Sequence, residues 1–449
     1  MKNYILSSKY KKIHFTGVGG VSMSALAKHL LSCKKIVSGS DTSVSASTEE
    51  LKRLGAKIFK GHESVDLNGV DALVYTSAIK DDNPELILAK SKNIPLIKRS
   101  ELLGEILEHY PRSVCVGGSH GKTTVTAMIS QVLIDAGFDP TVFLGGEHYD
   151  FSNYRLGGGK IAVAEACEYK RNFLDLTPCI AVVLNTDYDH PDTYADKTDI
   201  VNAFRQFIGE SLAVINADDQ NADALFNSAT VTFGVEKSAT YTARNIKEKD
   251  GAYSFTAYAF NGKLGRINLK QNGFHYLKNA IATVAVCDLL GVPFDKIKTG
   301  IENYKGVKRR GEFLGERNGK KYYADYAHHP SEIVTVLGAT DLKKEKVGVI
   351  FQPHTYSRTK SLMKEFVSAL KNVSPLILYK TYPAREDFDE RADALALYGE
   401  IGSVSNGKIF YSGSVNQTFS TIDKEFIDCE KVLVLGAGDL YDKIKSRLN

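Results

Sequence analysis

GGSHGKTT at residues 117–124 follows the short apolar run Ser113–Val116 and precedes Val125–Ile134, a segment with the apolar spacing of a helix. A strand, a glycine-rich turn and a helix in this order are the setting of a phosphate-binding loop. Gly118 and Gly121 can adopt backbone angles that direct N–H groups toward one point, and the helix N-terminus adds a partial positive charge. The stretch therefore predicts an anion site, with ATP as the expected partner.

This loop is a shortened Walker A motif, because Val116 stands where that motif has a further glycine. We expect the Lys122 ammonium to reach the outer phosphates and the Thr123 hydroxyl to ligate Mg²⁺. The alternative is an ordinary glycine-rich turn with an isolated lysine. The predicted nucleotide-binding residues of the loop are Gly118, Ser119, His120, Gly121, Lys122, Thr123 and Thr124.

Length and composition exclude several classes of protein. The chain has 449 residues, 43% of them hydrophobic, which fits two to four globular domains. Its net charge is +4 with both signs interleaved, so no nucleic-acid partner is expected. The six cysteines form no C-x-x-C pair and are expected to be reduced. No apolar run approaches the roughly 18 residues of a membrane helix, and no signal peptide is recognisable, which predicts a cytoplasmic protein without a membrane partner.

Three glycine turns follow apolar strands, at Ile13–Gly20, Val114–Gly121 and Val432–Gly438. Strand ends of this kind bind ligands in α/β sheets. Strand-like and helix-like runs alternate between the first two turns, which predicts a small parallel sheet ending near Tyr110-Pro111. The predicted strands there are Lys35–Ser40 and Ala72–Ser77, and the predicted helices are Thr48–Leu54 and Pro84–Ala89.

The alternation continues further along the chain, but Thr230–Leu269 differs. It is rich in Tyr, Thr and Phe, with turns at Asp250-Gly251 and Asn261-Gly262, which predicts an antiparallel excursion. Lys305–Gly311 is polar and glycine-bounded, which predicts a linker before a third unit. The other predicted strands are Ile161–Ala166, Ile180–Asn185, Leu212–Asn216, Lys321–Tyr326, Lys346–Phe351, Leu376–Tyr379 and Val432–Leu435, and Lys278–Leu290 is predicted to be helical.

Polar residues at two further strand ends should face the phosphate loop. Glu165 closes one predicted strand, and the segment after Asn185 supplies Asp189 and His190. A carboxylate there would hold Mg²⁺ directly or through water, since a hard cation prefers oxygen ligands. Taken singly, Glu165 fits a solvated strand-end charge and His190 a loop histidine. Together with the phosphate loop they predict that three strand ends converge on one metal-phosphate site.

The N-terminal turn T-G-V-G-G-V-S-M-S leaves three interpretations open. Gly17 and Gly19 fit the start of a dinucleotide motif, Ser22 stands where that motif has Gly or Ala, and Asp41 lies at a suitable distance. The turn could bind a nicotinamide cofactor, bind the diphosphate of a nucleotide sugar, or be an ordinary turn. We favour the nucleotide sugar.

The third unit carries the densest polar cluster of the chain. Asp325, His328 and His329 follow one predicted strand, and His354 and Arg358 follow another. A carboxylate could hold an ammonium group and an arginine could hold a carboxylate in bidentate fashion, which together describe an amino-acid pocket. The alternative is a second metal site built from the three histidines, although no i,i+4 pair of ligands is present.

These motifs together resemble the Mur ligase family over nearly the whole chain. G-S-H-G-K-T-T is similar to the family's shortened phosphate loop. The other matching segments are G-V-G-G-V-S-M-S, Ser77-Ala78-Ile79 with Asn83-Pro84, E-A-C-E-Y-K-R-N-F-L from Glu165, N-x-x-x-D-H at 185–190, D-Y-A-H-H-P from Asp325 and F-Q-P-H before Thr355. Within the family they are most similar to the members that add L-alanine.

The resemblance implies three α/β domains. They are a Rossmann-like UDP-sugar domain at 1–110, a central P-loop ATPase domain with a parallel sheet and a small antiparallel portion at 111–311, and a Rossmann-like amino-acid domain at 312–449. It also implies an ATP- and Mg²⁺-dependent ligase that joins L-alanine to the lactyl carboxylate of UDP-N-acetylmuramate through an acyl phosphate. We expect a monomer or a homodimer.

The resemblance also assigns roles to individual residues. The metal ligands would be Thr123, Glu165 and His190, and Asn279 and Arg310 would contact ATP. The substrates would be bound by Gly19, Gly20, Ser22, Met23, Ser24, His62, Ser77, Glu168, Asp325, His328 and Arg358. Catalysis would depend on Lys122, His190, His328 and Arg358.

Three rival functions follow from the same residues. A P-loop switch or motor would need no second substrate, and a nicotinamide oxidoreductase would use the N-terminal turn. A ligase that adds a recycled murein tripeptide to the same sugar nucleotide would share most of the motifs. The choice of amino acid therefore has to be measured.

Overall fold

The structure is a computed structural model that describes residues 5–63, 65–190, 192–260, 262–340, 342, 346–384 and 386–448. These residues form three β-sheets flanked by helices, which confirms the predicted α/β fold class. Within those ranges, no helix has both the length and the apolar character required to cross a bilayer.

The first sheet is parallel, as the N-terminal alternation predicts. Its strands are β1 (Lys12–Thr16), β2 (Ile36–Asp41), β3 (Lys57–Lys60), β4 (Ala72–Tyr75) and β5 (Leu96–Lys98). Its helices are α1 (Val21–Ser32), α2 (Ala46–Arg53), α3 (Pro84–Ser91) and α4 (Arg99–Glu108). The strand order is β3-β2-β1-β4-β5, so the glycine turn after β1 lies where the chain order reverses, which is where such sheets bind ligands.

The second sheet carries the phosphate loop at the end of a central strand. Its strands are β6 (Arg112–Gly117), β7 (Thr141–His148), β8 (Ser152–Arg155), β9 (Ile161–Glu165), β10 (Ile180–Val183), β11 (Leu212–Asn216), β12 (Thr230–Gly234), β13 (Tyr241–Lys249), β14 (Ala252–Ala259) and β15 (Gly262–Asn272). The helices in this part of the chain are α5 (Lys122–Asp135), α6 (Lys197–Ile208), α7 (Phe274–Leu289) and α8 (Phe294–Asn303). The order is β15-β14-β13-β12-β11-β10-β6-β9-β7-β8. Because β6 lies between β10 and β9 and runs parallel to both, the ends of these two strands flank the loop.

The antiparallel excursion predicted for Thr230–Leu269 is only partly correct. β12 pairs in parallel with both β11 and β13. The chain between β11 and β12 contains a short 3-10 helix, Ala222–Leu225, and a crossover of this kind returns the chain in the same direction. The turn at Asp250-Gly251 has φ of 53° and 80°, and a two-residue turn of this form joins antiparallel β13 and β14. Asn261 of the second predicted turn lies outside the described residues.

The third sheet is mixed. Its strands are β16 (Glu312–Arg317), β17 (Lys320–Asp325), β18 (Val347–Phe351), β19 (Leu376–Tyr379), β20 (Ile409–Ser412) and β21 (Lys431–Leu435), in the order β16-β17-β21-β18-β19-β20. Its helices are α9 (Pro330–Gly338), α10 (Tyr356–Ser361), α11 (Met363–Leu370), α12 (Ala394–Val404), α13 (Val415–Glu425) and α14 (Leu440–Leu448). Only the edge pair β16–β17 is antiparallel, so the ends of β17, β18 and β21 meet at one edge.

The chain divides into two compact units. The first holds the described residues up to Ile246 together with Phe255–Ile267 and Lys278–Lys305, and the second holds the remainder. The first sheet and most of the second fall in one unit, and a single buried apolar cluster includes side chains from both, for example Phe15 of β1 and Val183 of β10. The second unit's main segment begins at Gly306, inside the predicted linker.

Two helical glycines predict opposite effects of the same substitution. A Cβ on Gly104 of α4 would clash with the Asp175 carbonyl oxygen, whereas a Cβ on Gly399 of α12 would meet no described heavy atom within 4 Å. We expect Gly104→Ala to destabilise the first unit by about 1–3 kcal/mol or more, because a backbone oxygen cannot give way easily. Gly399→Ala should stabilise its helix by roughly 0.5–1 kcal/mol. Thermal unfolding of both variants measures the difference, and shifts of the same sign would contradict the packing at Gly104.

Candidate active site

The phosphate loop is held in shape by its own glycines and by the chain after β10. Gly118 has φ of +137° and Gly121 has φ of +84° at the start of α5, conformations that favour glycine. Asn185 binds the backbone of His120 twice, accepting from its N–H at 2.8 Å and donating to its carbonyl oxygen at 3.0 Å. The Ser119 hydroxyl donates to the Asp187 carbonyl at 2.6 Å. The loop is therefore preorganised, with the N-terminus of α5 behind it.

Lys122 lies over this loop and pairs with a buried carboxylate. Its Nζ donates to the Gly118 carbonyl at 2.6 Å and lies 3.0 Å from Oε1 and 2.8 Å from Oε2 of Glu168. Burial disfavours the charged lysine, but the Glu168 carboxylate outweighs it and raises the pKa of Lys122. Burial also opposes ionisation of Glu168, but interactions with Lys122 and His190 favour the carboxylate and lower the pKa of Glu168 overall. Both groups are charged, so the ammonium is positioned for a phosphate.

Thr123 and Glu165 come together beside the loop, as predicted. The Thr123 hydroxyl donates to Oε2 of Glu165 at 3.1 Å, and Oε1 accepts from the Gly145 N–H at 2.6 Å. The register places Glu165 opposite Val116, immediately before the loop. A hydroxyl and a carboxylate at this place are ligands of the kind that Mg²⁺ prefers.

His190 is placed differently from the other two predicted metal ligands. Its Nε2 lies 3.4 Å from Oε1 of Glu168 and 3.6 Å from Oδ2 of Asp189, and its ring lies 4.9 Å from that of Tyr169. Glu168, predicted as a substrate contact, thus joins His190 to Lys122. The common metal site of Thr123, Glu165 and His190 stays a prediction. Within the described ranges, no group of three His, Cys, Asp or Glu side chains could hold a metal ion, so a second, histidine-based site gains no support.

Asn279 lies next to the phosphate loop. A Cβ on Gly121 would be 3.2 Å from Oδ1 of Asn279, so that residue is close to the start of α5. Thr124 is buried in the first turn of α5 and faces away from solvent. These positions agree with a nucleotide bound across the loop.

The N-terminal turn is built around two carboxylates. Asp41, the residue expected at a ribose in a dinucleotide fold, accepts instead from the Gly19 N–H at 2.8 Å. Glu85 is buried and accepts from Thr16 at 2.6 Å, while its other oxygen contacts Nδ1 of His62 at 2.8 Å. Glu85 thereby orients His62 near the turn, and Asp41 binds a backbone N–H of the turn itself.

Two predicted substrate residues, Met23 and Ser24, are buried in α1. The Ser24 hydroxyl donates to the Val21 carbonyl at 2.9 Å and accepts from Asn153 at 2.9 Å. Their side chains therefore pack inside the first unit, and their predicted contacts with substrate stay predictions. Gly20 is exposed, Ser22 is half-buried, and the Ser77 hydroxyl lies 3.5 Å from the Asn172 amide.

A small cleft within the first unit is lined by residues from the start of α1 and from the phosphate site. Ser22, Arg99, Leu103, Phe143, Gly145 and Glu165 are among its lining residues. Arg99 was not a predicted site residue, although it begins a helix directly after strand β5, a position that could have drawn attention to it. The cleft places one predicted sugar-nucleotide residue, Ser22, and one predicted metal ligand, Glu165, in the same cavity.

Three members of the predicted polar cluster of the second unit, His328, His354 and Arg358, lie close together, while the amino-acid pocket itself stays a prediction. The ring of His328 lies 5.7 Å from that of His354, and Nη1 of Arg358 lies 3.2 Å from Nδ1 of His354. Asp325 accepts from the N–H groups of Gly311 and Ala327, both at 2.9 Å. Its carboxyl pKa is raised to about 6 by burial, which a nearby arginine only partly offsets.

That arginine is Arg310, which lies in the same unit. Its guanidinium is 5.1 Å from the centre of the Tyr326 ring, and Nη1 is 3.8 Å from Oε1 of Glu332. The predicted contact of Arg310 with ATP stays a prediction.

The chain also matches known protein families along most of its length. Three family models match successive parts of the chain: "Mur ligase family, catalytic domain" at residues 12–111, "Mur ligase middle domain" at 116–287 and "Mur ligase, glutamate ligase domain" at 309–438. The predicted three-domain α/β organisation is thereby confirmed, while the boundaries at 110/111 and 311/312 stay predictions.

Individual proteins are similar over nearly the whole length. UDP-N-acetylmuramate--L-alanine ligase of Acetivibrio thermocellus is 41% identical, with 97% of this chain and 95% of that protein covered. The crystal structure of UDP-N-acetylmuramate-alanine ligase MurC from Thermotoga maritima is 28% identical with a TM-score of 0.80, covering 97% of this chain and 98% of the other. A murein peptide ligase from Psychrobacter arcticus shares the fold, at 21% identity and a TM-score of 0.74, with 98% of each chain covered.

Proposed function

The chain belongs to the Mur ligase family, and on that premise we propose that it joins L-alanine to the lactyl carboxylate of UDP-N-acetylmuramate, converting ATP to ADP and phosphate. The product, UDP-N-acetylmuramoyl-L-alanine, would be a precursor of peptidoglycan. The observation that carries the proposal is the preorganised phosphate loop with its charged Lys122–Glu168 pair, in a chain 41% identical to a ligase of that name. Because both nucleotides are cytoplasmic metabolites, we place the reaction in the cytoplasm.

The reaction has two balanced steps. A carboxylate oxygen of the lactyl group attacks the terminal phosphorus of ATP, and the bond from that phosphorus to the ADP oxygen breaks. The amine of L-alanine then attacks the carbonyl carbon of the acyl phosphate, phosphate leaves with the C–O bond electrons, and the nitrogen loses a proton. Charge accumulates on phosphoryl oxygens in the first step, and Lys122 is the cation placed to offset it.

The residues beside the loop fit Mg²⁺. Thr123 and Glu165 supply oxygen atoms 3.1 Å apart at the end of the central strands. Bound there, Mg²⁺ would neutralise phosphate charge and orient the transferred group. His190 would assist from the Glu168 side, where it contacts the carboxylate that holds Lys122.

The second unit would supply the amino-acid site. Asp325 can hold an ammonium group, and Arg358, which contacts His354, can bind a carboxylate. His328 lies between these groups in the chain and contacts Oε2 of Glu332 at 3.4 Å through Nδ1. This set matches the two charged ends of a free amino acid.

The raised pKa of Asp325 predicts how the use of L-alanine depends on pH. Because the folded-state pKa, about 6, exceeds the ordinary 3.8, the fold favours the protonated form, and the carboxylate appears only as pH rises through about 6. If ionised Asp325 holds the ammonium, kcat/KM for L-alanine should rise between about pH 5 and pH 7. Asp325→Asn should raise the KM for L-alanine and remove this limb. The control Asp389→Asn, which removes a carboxylate paired with Lys360, should keep the rise of kcat/KM with pH. An unchanged rise in Asp325→Asn would show that Asp325 does not hold the ammonium group.

Phosphate release tests the function directly. ATP, Mg²⁺ and UDP-N-acetylmuramate are supplied with L-alanine, glycine, L-serine, murein tripeptide or no acceptor. We expect the greatest release with L-alanine, accompanied by the matching mass gain on the sugar nucleotide. Release only with tripeptide would indicate the recycling ligase instead, and release that ignores the acceptor would refute both.

A further inference from the structure

Arg99 is a half-buried arginine in the cleft of the first unit. Its guanidinium makes no hydrogen bond and no ion pair with any residue in the described parts of the chain. Two other arginines of this unit are ion-paired, Arg155 with Asp139 at 2.5 Å and Arg171 with Asp199 at 2.6 Å, whereas Arg53 and Arg205 are exposed to water. Holding a guanidinium out of bulk water without a counter-ion is costly, so this side chain is suited to an anionic ligand.

Two other lining residues of the cleft indicate which part of a ligand could reach Arg99. Ser22 belongs to the first turn of α1, directly after the N-terminal glycine turn. Glu165 contacts Thr123 beside the phosphate loop. A group that occupies this cavity therefore lies close to both Ser22 and Glu165, and Arg99 lines the same cavity.

The charges in the cleft indicate which anionic group Arg99 would bind. Glu165 is an acid, so a second carboxylate entering beside it would be repelled unless a cation balanced the pair. A planar guanidinium binds a carboxylate through two parallel hydrogen bonds, which also fixes the orientation of its oxygens. Fixing the orientation matters here, because one carboxylate oxygen must attack phosphorus while the other stays bound.

We propose that Arg99 binds the lactyl carboxylate of the sugar nucleotide and directs one of its oxygens toward the phosphate loop. The inference rests on the proposed function and deepens it, since it assigns a residue to the reacting group of the substrate. Arg99 then distinguishes a sugar nucleotide that carries the lactyl group from one that lacks it. It has no part in binding ATP or L-alanine.

Arg99→Gln and Arg99→Lys test the proposal, with Lys98→Gln as the matched control. Lys98 is the exposed neighbour and loses the same charge outside the cleft. Two ligands are titrated by calorimetry: UDP-N-acetylmuramate, and UDP-N-acetylglucosamine, which has the same nucleotide and diphosphate but no lactyl carboxylate. We expect Arg99→Gln to weaken the binding of UDP-N-acetylmuramate about 10- to 100-fold, which is the loss typical of a charge-assisted pair. The affinity for UDP-N-acetylglucosamine should be unchanged. Arg99→Lys should recover part of the loss.

Steady-state kinetics provides the second measurement. The KM for UDP-N-acetylmuramate should rise in Arg99→Gln while the KM values for ATP and L-alanine stay within about twofold, as expected when one substrate contact is lost. The melting temperature should not fall, because Arg99 has no hydrogen bond or ion pair to lose within the described ranges.

Three results would overturn the assignment. If the affinity of Arg99→Gln for UDP-N-acetylmuramate were unchanged, Arg99 would not bind the lactyl carboxylate. If Arg99→Gln weakened the binding of both sugar nucleotides equally, Arg99 would contact the diphosphate instead. If Arg99→Gln and Arg99→Lys both weakened binding and also lowered the melting temperature, the role of Arg99 would be structural. Failure of the proposed function is distinguishable, since the unaltered protein would then show no L-alanine-dependent turnover.

Discussion

Lys122→Ala is expected to abolish ATP-dependent turnover, with a fall in kcat of about 10³-fold or more, because phosphoryl transfer depends on positioned cations that offset charge in the transition state. Lys122 is bound to the loop carbonyl of Gly118 and to Glu168, so its ammonium is already oriented in the protein. Binding of UDP-N-acetylmuramate should be retained. Phosphate release and calorimetry measure the two effects, and surviving turnover would show that the loop assignment is wrong.

This substitution also has a structural consequence that must be separated from the chemistry. It leaves Glu168, only 1% exposed, without its lysine, and breaking a buried ion pair from one side costs about 3–5 kcal/mol. The double variant Lys122→Met/Glu168→Gln removes both charges and should recover much of the lost melting temperature. Turnover should stay lost in the double variant. If turnover returned together with stability, Lys122 would be a structural residue.

Glu165→Gln is expected to change the Mg²⁺ requirement most strongly. Glutamine preserves the shape of the side chain and can still accept from Thr123 or Gly145, but it loses the charge that attracts the metal. We expect kcat to fall about 10²-fold and the half-saturating Mg²⁺ concentration to rise about tenfold or more, since carboxylates are the principal protein ligands of this ion. Turnover measured across a Mg²⁺ titration gives both values.

Asp187→Asn serves as the control for this variant. Asp187 lies near the same loop, with Oδ2 3.5 Å from Nε2 of His120, but its side chain is 47% exposed and does not contact Thr123. Removing this charge should leave the Mg²⁺ dependence nearly unchanged. Similar shifts in both variants would point to a general electrostatic effect and would contradict a metal site at Glu165.

The residues that sequence patterns located well are those that act through local backbone geometry. Gly118, Gly121, Lys122 and Thr123 belong to one strand, turn and helix, so their spacing along the chain implies their arrangement in space. The position of Glu165 beside the loop required one further inference, that the ends of parallel strands meet at one edge of a sheet. Family resemblance then supplied the substrates and the three-domain organisation, which composition and periodicity alone left open.

Other features depend on contacts between distant segments, which no local pattern specifies. Met23 and Ser24 belong to a suitable motif, yet the chain around Asn153 covers α1 and buries them. The direction of β12 depended on the crossover before it and not on its own composition.

The sequence by itself determined the phosphate loop, the α/β alternation and the family, because each is written in contiguous residues whose backbone conformations are set by glycine and by apolar spacing. Only the tertiary structure decided that Glu168 pairs with Lys122, that Asp41 serves the N-terminal turn, and that Arg99 shares a cleft with Ser22 and Glu165. The physical reason is that charge pairing and burial act through space. They depend on which segments the packed core brings within a few ångströms of one another, and that is a property of the whole fold.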